Sequence, residues 1–137
     1  MHRIVATLIA GLLAAPVVAA ETGDAGKGEK DFRKCKACHA IIADDGTEIV
    51  KGGKTGPNLY GVAGRAVGST NFNYDAELVK LGEDGVVWDF DNFTAWVEDP
   101  SAWLKDKTGD SGAKSKMAFK LKKGGDDIFA YLQSVAE

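Results

Sequence analysis

Cys35-Lys36-Ala37-Cys38-His39 limits what this 137-residue chain can fold into more than any other stretch. Two thiols separated by two residues, followed at once by an imidazole, are the groups a covalently bound haem uses. The thiols add across the porphyrin vinyl groups, and the imidazole takes an axial position on the iron. Two intervening residues let one turn of chain span neighbouring pyrrole edges, and the next residue is carried beneath the ring centre. Three other uses of the same residues fall short. A thioredoxin-like C-x-x-C follows a strand and opens a helix, whereas here a helix-like segment leads in and a glycine-rich loop leads out. A structural zinc site needs four ligands, usually Cys and His; Cys35, Cys38, His39 and His2 exhaust those residue types here. A disulfide between Cys35 and Cys38 would close a very small, strained loop.

The N-terminus reads as an export signal. Met1-His2-Arg3 is a short basic start, Ile4 to Val17 is almost wholly apolar, and Val18-Ala19-Ala20 has the small residues of a signal-peptidase site. Cleavage is expected after Ala20, which separates residues 1–20 from a single domain over 21–137 and removes His2 and Arg3. The apolar run is shorter than the roughly 20 residues of a membrane span, so a soluble periplasmic product is expected. With 17 basic and 20 acidic side chains the formal net charge is -3, and a mildly acidic total argues against a nucleic-acid binder.

After the signal, Thr22-Gly23-Asp24 offers an N-cap, and Ala25 to Lys36 reads as a helix leading into the cysteine motif. Gly28 and Phe32 share one face of it, where a glycine admits another helix closely. Ala40 to Thr70 is loop-like, centred on Thr55-Gly56-Pro57-Asn58-Leu59 and followed by Gly61, Gly64, Arg65 and Gly68. A loop this long inside a compact domain wraps something, and a haem supplies the apolar area that side chains would otherwise provide. Pro57 follows the motif in the right sense to bring its carbonyl to the His39 ring. There it would accept the imidazole N–H, fix the tautomer and make the ligand more electron-rich.

A short helix is expected from Asp75 to Leu81, stopped by Gly82. A second begins behind Asp91 as N-cap, carries Phe93, Trp96 and Val97 at helical spacing, and ends at Asp99. Pro100 suits the first turn of a third, through Trp103 and Leu104, with Asp99 as its cap. Trp88, Trp96 and Trp103 suit core packing and a role at the cofactor equally. Thr108 to Lys116 is a polar loop that delivers Met117, and Asp126 to Val135 repeats Ile128, Leu132 and Val135 as one helical face. Helices at both ends with loop between imply an all-α fold whose terminal helices pack together.

Once residues 1–20 are gone, one histidine and one methionine remain, His39 and Met117. The second axial position within a monomer then falls to Met117, a lysine, water or nothing. A lone methionine is commonly a core filler. Met117, however, lies in Lys114-Ser115-Lys116-Met117-Ala118-Phe119-Lys120, a polar stretch ill suited to filling a core. Thioether ligation favours ferrous iron and raises the reduction potential. Charge is also segregated: Glu83, Asp84, Asp89, Asp91, Glu98 and Asp99 occur with no lysine or arginine among them, whereas Ser101 to Lys123 holds Lys105, Lys107, Lys114, Lys116, Lys120, Lys122 and Lys123 against Asp106 and Asp110. Such runs are commonly solvated faces, but these lysines flank Met117.

Cys35 to His39, Thr55 to Leu59, Gly64-Arg65, Trp88, Lys116-Met117 and Ala130-Tyr131-Leu132 occur in that order. From about Gly23 to Ala136 the chain thereby resembles a class I c-type cytochrome, similar to the mitochondrial protein and to the larger soluble bacterial members of the cytochrome c-two kind. The resemblance implies the small cytochrome c fold, in which helices and long loops wrap one haem. Cys35 and Cys38 would bear the thioethers, His39 and Met117 would be the axial ligands, and the Pro57 carbonyl would accept from His39. Arg65, Tyr74 and Trp88 match positions that hydrogen-bond or neutralise the haem propionates, and Phe119 matches an aromatic beside the exposed haem edge. Lys34, Lys36, Lys54, Lys114, Lys116, Lys120 and Lys122 resemble a ring that docks acidic faces of membrane redox complexes.

By the same resemblance the protein would be no enzyme. It would be a monomeric periplasmic carrier, without nucleic-acid binding or membrane insertion, that takes single electrons from a membrane cytochrome bc complex to a photosynthetic reaction centre or a terminal oxidase. Three departures from the pattern stand out. Extra residues around Asp44-Asp45-Gly46 should form a surface insertion; the loop before Met117 is longer and lacks a proline, which makes its bond more labile; and Trp96 falls where many relatives have a tyrosine bonded to the methionine sulfur. Two other classes remain open to test. A five-coordinate haem enzyme or gas-binding protein would need Met117 off the iron, and a thiol oxidoreductase would need Cys35 and Cys38 free.

Overall fold

The computed structural model describes residues 23–137, and the export segment read at 1–20 lies outside them. The chain opens with α1 (Ala25–Asp31). Asp24 caps it by accepting from the Lys27 N–H, while the Asp24 N–H donates to the Asp127 carboxylate at 2.8 Å and ties this end to the C-terminal helix. That last helix, α5 (Gly125–Val135), packs along α1. Gly28 is what permits the approach: a Cβ there would lie 1.9 Å from the Asp127 carbonyl oxygen and 2.7 Å from the Tyr131 Cβ. One turn on, the Phe32 and Tyr131 rings meet with centroids 5.8 Å apart.

The expected single helix to Lys36 does not form. After Asp31 the chain tightens into a 3-10 turn, Phe32–Lys34, whose end is marked by the Cys35 N–H donating to the Phe32 carbonyl. The tightening lets the next turn fold on itself, with the Cys38 and His39 amides both donating to the Cys35 carbonyl, at 3.1 and 3.0 Å. A continuous α-helix would have carried His39 to a different face.

Within the segment read as loop, a small antiparallel hairpin forms from β1 (Ile41–Ile42) and β2 (Glu48–Val50), with a bulge at Ile41/Ile42. Asp44, Asp45 and Gly46 form its exposed tip. The Asp45 carboxylate accepts from the Thr47 amide, and Gly46 takes the positive φ of 87° that the reversal needs. The residues expected at the surface here are indeed exposed.

α2 spans Ala76–Glu83, so Gly82 lies inside it rather than stopping it. Its missing Cβ makes room for the Val67 carbonyl oxygen, which would sit 1.8 Å from that atom, and Gly85 with φ 93° turns the chain instead. α3 is Phe90–Glu98, capped by Asp89 and not Asp91: the Asp89 carboxylate accepts from the Asn92 amide at 2.8 Å, and Asp91 falls in the first turn. α4 is Pro100–Thr108, with Asp99 as cap and Pro100 in the first turn, and it continues past Leu104 until left-handed Gly109 ends it. The core between these helices includes Phe32, Ile41, Leu104, Ile128, Phe129 and Leu132. Among the described residues five α-helices, one 3-10 turn and one two-stranded sheet make a mostly helical fold with long connecting loops.

Candidate haem site

The loop carrying Pro57 lies back along the cysteine motif through three backbone bonds: Gly53 N–H to Lys36, Gly56 N–H to Cys38, and Leu59 N–H to Ala40. Asn58 fastens it to β1 by donating to the Ile42 carbonyl and accepting from the Ile42 amide. This strap brings the Pro57 carbonyl to His39, whose Nδ1 lies 2.8 Å from it. A carbonyl only accepts, so Nδ1 carries the hydrogen and Nε2 keeps its lone pair. The ring is buried, and burial holds its pKa below the ordinary histidine value against the opposing effect of the Pro57 bond. Burial thus favours the neutral form of the ring. Gly56 packs on it so closely that a Cβ would stand 2.4 Å from Cε1.

Cys35 is half-buried and Cys38 exposed, and both thiols are free. Burial pushes the Cys35 thiol up to about 11. Disulfide-exchange nucleophiles have lowered values, so this environment disfavours thiol chemistry. Among the described residues no three His, Cys, Asp or Glu side chains cluster to hold a bare metal ion.

A second set of residues gathers around Arg65. Its Nη1 donates to the Tyr60 carbonyl at 3.0 Å, whereas its Nε is buried without any partner among the described residues. Burial lowers the Arg65 pKa, and neighbouring Tyr74 acts against that; the Tyr74 hydroxyl bonds Thr70 Oγ1. Trp88, 23 residues away, is set beside Arg65 by backbone pairing, its N–H donating to the Arg65 carbonyl and its carbonyl accepting from Gly64. A buried guanidinium with an orphaned N–H calls for an anion. The carboxylates of a haem would fit that requirement, and an unprotonated His39 Nε2 would suit its iron. Half-buried Cys35, Leu59, Tyr60, Tyr74 and Met117 pack against the core from the same loops.

Trp96 joins Trp88 and Trp103 in one aromatic cluster, with centroid separations of 5.2 to 5.5 Å. Sequence reasoning treated these rings singly and missed the cluster. Met117 is half-buried on the loop between α4 and α5. Three successive amides there are bonded by side-chain oxygens: Ser115 N–H to Ser101 Oγ (3.0 Å), Lys116 N–H to Asp75 Oδ2 (3.1 Å) and Met117 N–H to Ser115 Oγ (3.0 Å). None of Asp75, Ser101 and Ser115 was singled out from sequence. Only the polarity of a Ser or Asp hints at such a bond, and the partner is too distant in the chain to be read.

Phe119 is 44% exposed beside this loop. Lys36, Lys54, Lys114 and Lys122 are exposed, and the Gly53–Lys36 bond brings the chain at Lys54 close to Lys36. Others of the expected ring are tied internally: Lys34 to Asp31 (3.5 Å), Lys120 to Asp99 (2.9 Å), and Lys116 Nζ to the Asn73 carbonyl (3.4 Å). A groove of about 500 Å³ opens between α1, β2 and α5 beside Phe32, Ile49 and Tyr131, and neither His39 nor Met117 lines it.

No protein-family model matches the chain. It is 56% identical over 136 residues to cytochrome c-551 of Roseobacter denitrificans, spanning 99% of this chain and 97% of that protein. With cytochrome c2 of Rhodobacter capsulatus it shares 56% identity over 133 residues, 96% and 95% of the two chains. The solved structure of cytochrome c2 from Rhodobacter capsulatus superposes with a TM-score of 0.81 at 58% identity, covering 84% of this chain and all of that one. Ferric cytochrome c-550 from Paracoccus versutus superposes with a TM-score of 0.80 at 52% identity, covering 84% and 99%.

Proposed function

This chain belongs to the class I c-type cytochromes of the cytochrome c2 kind, electron-transfer proteins and not enzymes, and we propose that it is a periplasmic one-electron carrier whose single haem c lies between His39 and Met117. The family carries haem c, and Cys35 and Cys38 stand at the spacing of covalent attachment. The observation that carries the ligand assignment is the buried His39 ring, with Nδ1 engaged at Pro57 so that Nε2 is the nitrogen left for an iron. Met117 is the one methionine of residues 23–137, and its polar, strapped loop supports a ligand rather than a core filler.

A bound haem would supply a one-electron change between ferric and ferrous iron, and with His39 and Met117 both holding it no coordination position would be left for a substrate. The chain's own residues do the rest. Arg65, through its free Nε, holds propionate charge together with Tyr74 and Trp88. The core around Leu59, Tyr60 and the tryptophan cluster excludes water. Phe119 and the lysines Lys36, Lys54, Lys114 and Lys122 form the face on which an acidic redox partner docks. Charge of that kind steers encounter and gives fast, weak, salt-sensitive association over a small interface, below roughly 1,200 Å². The donor we infer is a membrane cytochrome bc complex and the acceptor a photosynthetic reaction centre or a terminal oxidase. Residues 1–20 would direct export and be removed.

The test is the absorbance spectrum of the purified protein in both oxidation states. A reduced c-type alpha band, with the weak near-infrared methionine-to-iron band in the oxidised form, is expected. A c-type spectrum without the methionine band, with rapid carbon monoxide binding, would overturn the shuttle reading in favour of a ligand-binding haem. A colourless product from a cytochrome-maturing strain would return Cys35 and Cys38 to thiol chemistry.

A further inference from the structure

Four of the helices are preceded by aspartate, and one of those aspartates behaves differently. Asp24, Asp89 and Asp99 each turn the carboxylate onto their own helix, accepting from Lys27, Asn92 and Ala102, as an N-cap does. Asp75, before α2, makes no side-chain cap. Only its backbone carbonyl serves that helix, accepting from Leu78 and Val79. Its carboxylate, on a residue only 9% exposed, accepts instead from the Lys116 amide, 41 residues along the chain.

The recipient explains the exception. Residues 113–120 form no helix or strand, so the amides ahead of Met117 have no ladder to join and depend on side chains. Ser101 from α4 takes the Ser115 amide, and Ser115 takes that of Met117. Asp75 supplies the one carboxylate acceptor, bonding the residue directly before Met117. A carboxylate accepting a backbone N–H is the stronger type of hydrogen bond, and in a segment with few other bonds such contacts set the free energy of local opening. Lys116 adds a weaker bond from its Nζ to Asn73, two residues before Asp75. The 73–75 segment and the Met117 loop are thus clasped at two points.

We propose that Asp75 is a positioning residue for Met117, its carboxylate latching the ligand loop so that the thioether stays on the iron. The proposal rests on Met117 being an axial ligand. Without the latch the loop opens more often, and an added ligand gains access in proportion to the open fraction.

The test compares holoprotein with Asp75→Ala, Asp75→Asn and Asp75→Ser by titrating the ferric form with imidazole, an added ligand that must displace Met117. The near-infrared methionine band is followed at the same time. Asp75→Ala is expected to bind imidazole about tenfold more tightly, the factor matching loss of one hydrogen bond to a charged group. Asp75→Asn keeps an acceptor oxygen at the same reach and should recover most of that change. Asp75→Ser retains a residue suited to precede a helix but shortens the side chain, so it should follow Asp75→Ala if the latter folds poorly. Far-ultraviolet circular dichroism should be unchanged, because the carboxylate does not cap α2. Hydrogen exchange at the Lys116 amide should speed up in step with imidazole binding. Parent-like imidazole affinity in both Asp75→Ala and Asp75→Ser would overturn the latch, as would Asp75→Asn behaving like Asp75→Ala. A parent protein that lacks the methionine band overturns the Met117 assignment itself, a result separate from the failure of the latch.

Discussion

Around His39 the chain is tied by its own backbone: Gly53 to Lys36, Gly56 to Cys38, Leu59 to Ala40, and the Pro57 carbonyl to the ring itself. Around Met117 the three successive amides are held by Ser101, Asp75 and Ser115 side chains. Backbone bonds survive most substitutions because every residue type but proline carries the same donor and acceptor. Side-chain bonds are lost with a single replacement. One face of the site is therefore robust to sequence change and the other is adjustable, and in a carrier whose potential depends on its axial ligands the adjustable face is where a lineage can tune.

The robust face breaks only when backbone approach is blocked. Gly56→Ala introduces a Cβ that would lie 2.4 Å from His39 Cε1 and 2.8 Å from Nε2, so the ring or the strap must shift. Overpacking of this kind costs roughly 3 kcal/mol, read as a lower guanidinium midpoint of the oxidised protein. A loss under about 1 kcal/mol would mean that the His39 ring steps aside freely and that the strap is loose.

The adjustable face should yield to a smaller change. Ser101→Ala removes the acceptor of the Ser115 amide while leaving a residue that suits α4, at a cost of about 1 kcal/mol. The same substitution should weaken the near-infrared methionine band on mild warming. Combined with Asp75→Ala, it should show coupling in a double-mutant cycle, since adjacent amides share one opening. Strict additivity would separate the two latches.

Pro57→Ala sharpens the contrast from the other side. The bond to His39 comes from the Pro57 carbonyl, which alanine also carries, so the imidazole keeps its acceptor. Only the pre-set φ of proline is given up, worth about 0.4–1 kcal/mol through the unfolded chain. Stability measurements should record that small loss with an unchanged reduction potential. A shifted potential would show that the ring's hydrogen bond depends on proline geometry.

The same division decides how much could be read from sequence. The His39–Pro57 contact was legible because it joins a compact motif to a Gly-Pro-Asn turn not far downstream, and the α1–α5 packing was legible in Gly28. The Asp75–Lys116 and Ser101–Ser115 bonds were not. An aspartate before a helix reads as its cap, and nothing local says that its carboxylate serves a loop 41 residues away. Asp89 and Asp91 are both able to cap α3, and the choice follows from how Trp88 is paired to Arg65. The hairpin was within reach: Ile41-Ile42 and Ile49-Val50 flank an Asp-Asp-Gly turn. The break at Phe32 was not, since the residues of a 3-10 turn suit a continuing α-helix equally well.

The smallest effect concerns the lysines proposed for docking, which the internal pairing divides. Lys120 Nζ sits 2.9 Å from the Asp99 carboxylate, on which it is one of the influences holding the carboxyl below its usual range, whereas Lys114 is exposed. Both pairing groups of the Lys120 bridge face solvent, so Lys120→Ala should leave stability unchanged. Long-range steering counts net charge, so either Lys114→Ala or Lys120→Ala removes one unit and should slow association with an acidic redox partner to a similar, modest degree. Once the partners touch, the two differ. Lys114 can turn to an incoming carboxylate at once, while Lys120 must first leave Asp99, so its net contribution to the complex is smaller. Stopped-flow measurements at low salt should therefore give like association rates for the two variants but faster dissociation for Lys114→Ala. Equal dissociation rates would mean that the Lys120–Asp99 pair opens without cost on docking, and that the expected lysine ring acts through its charge alone.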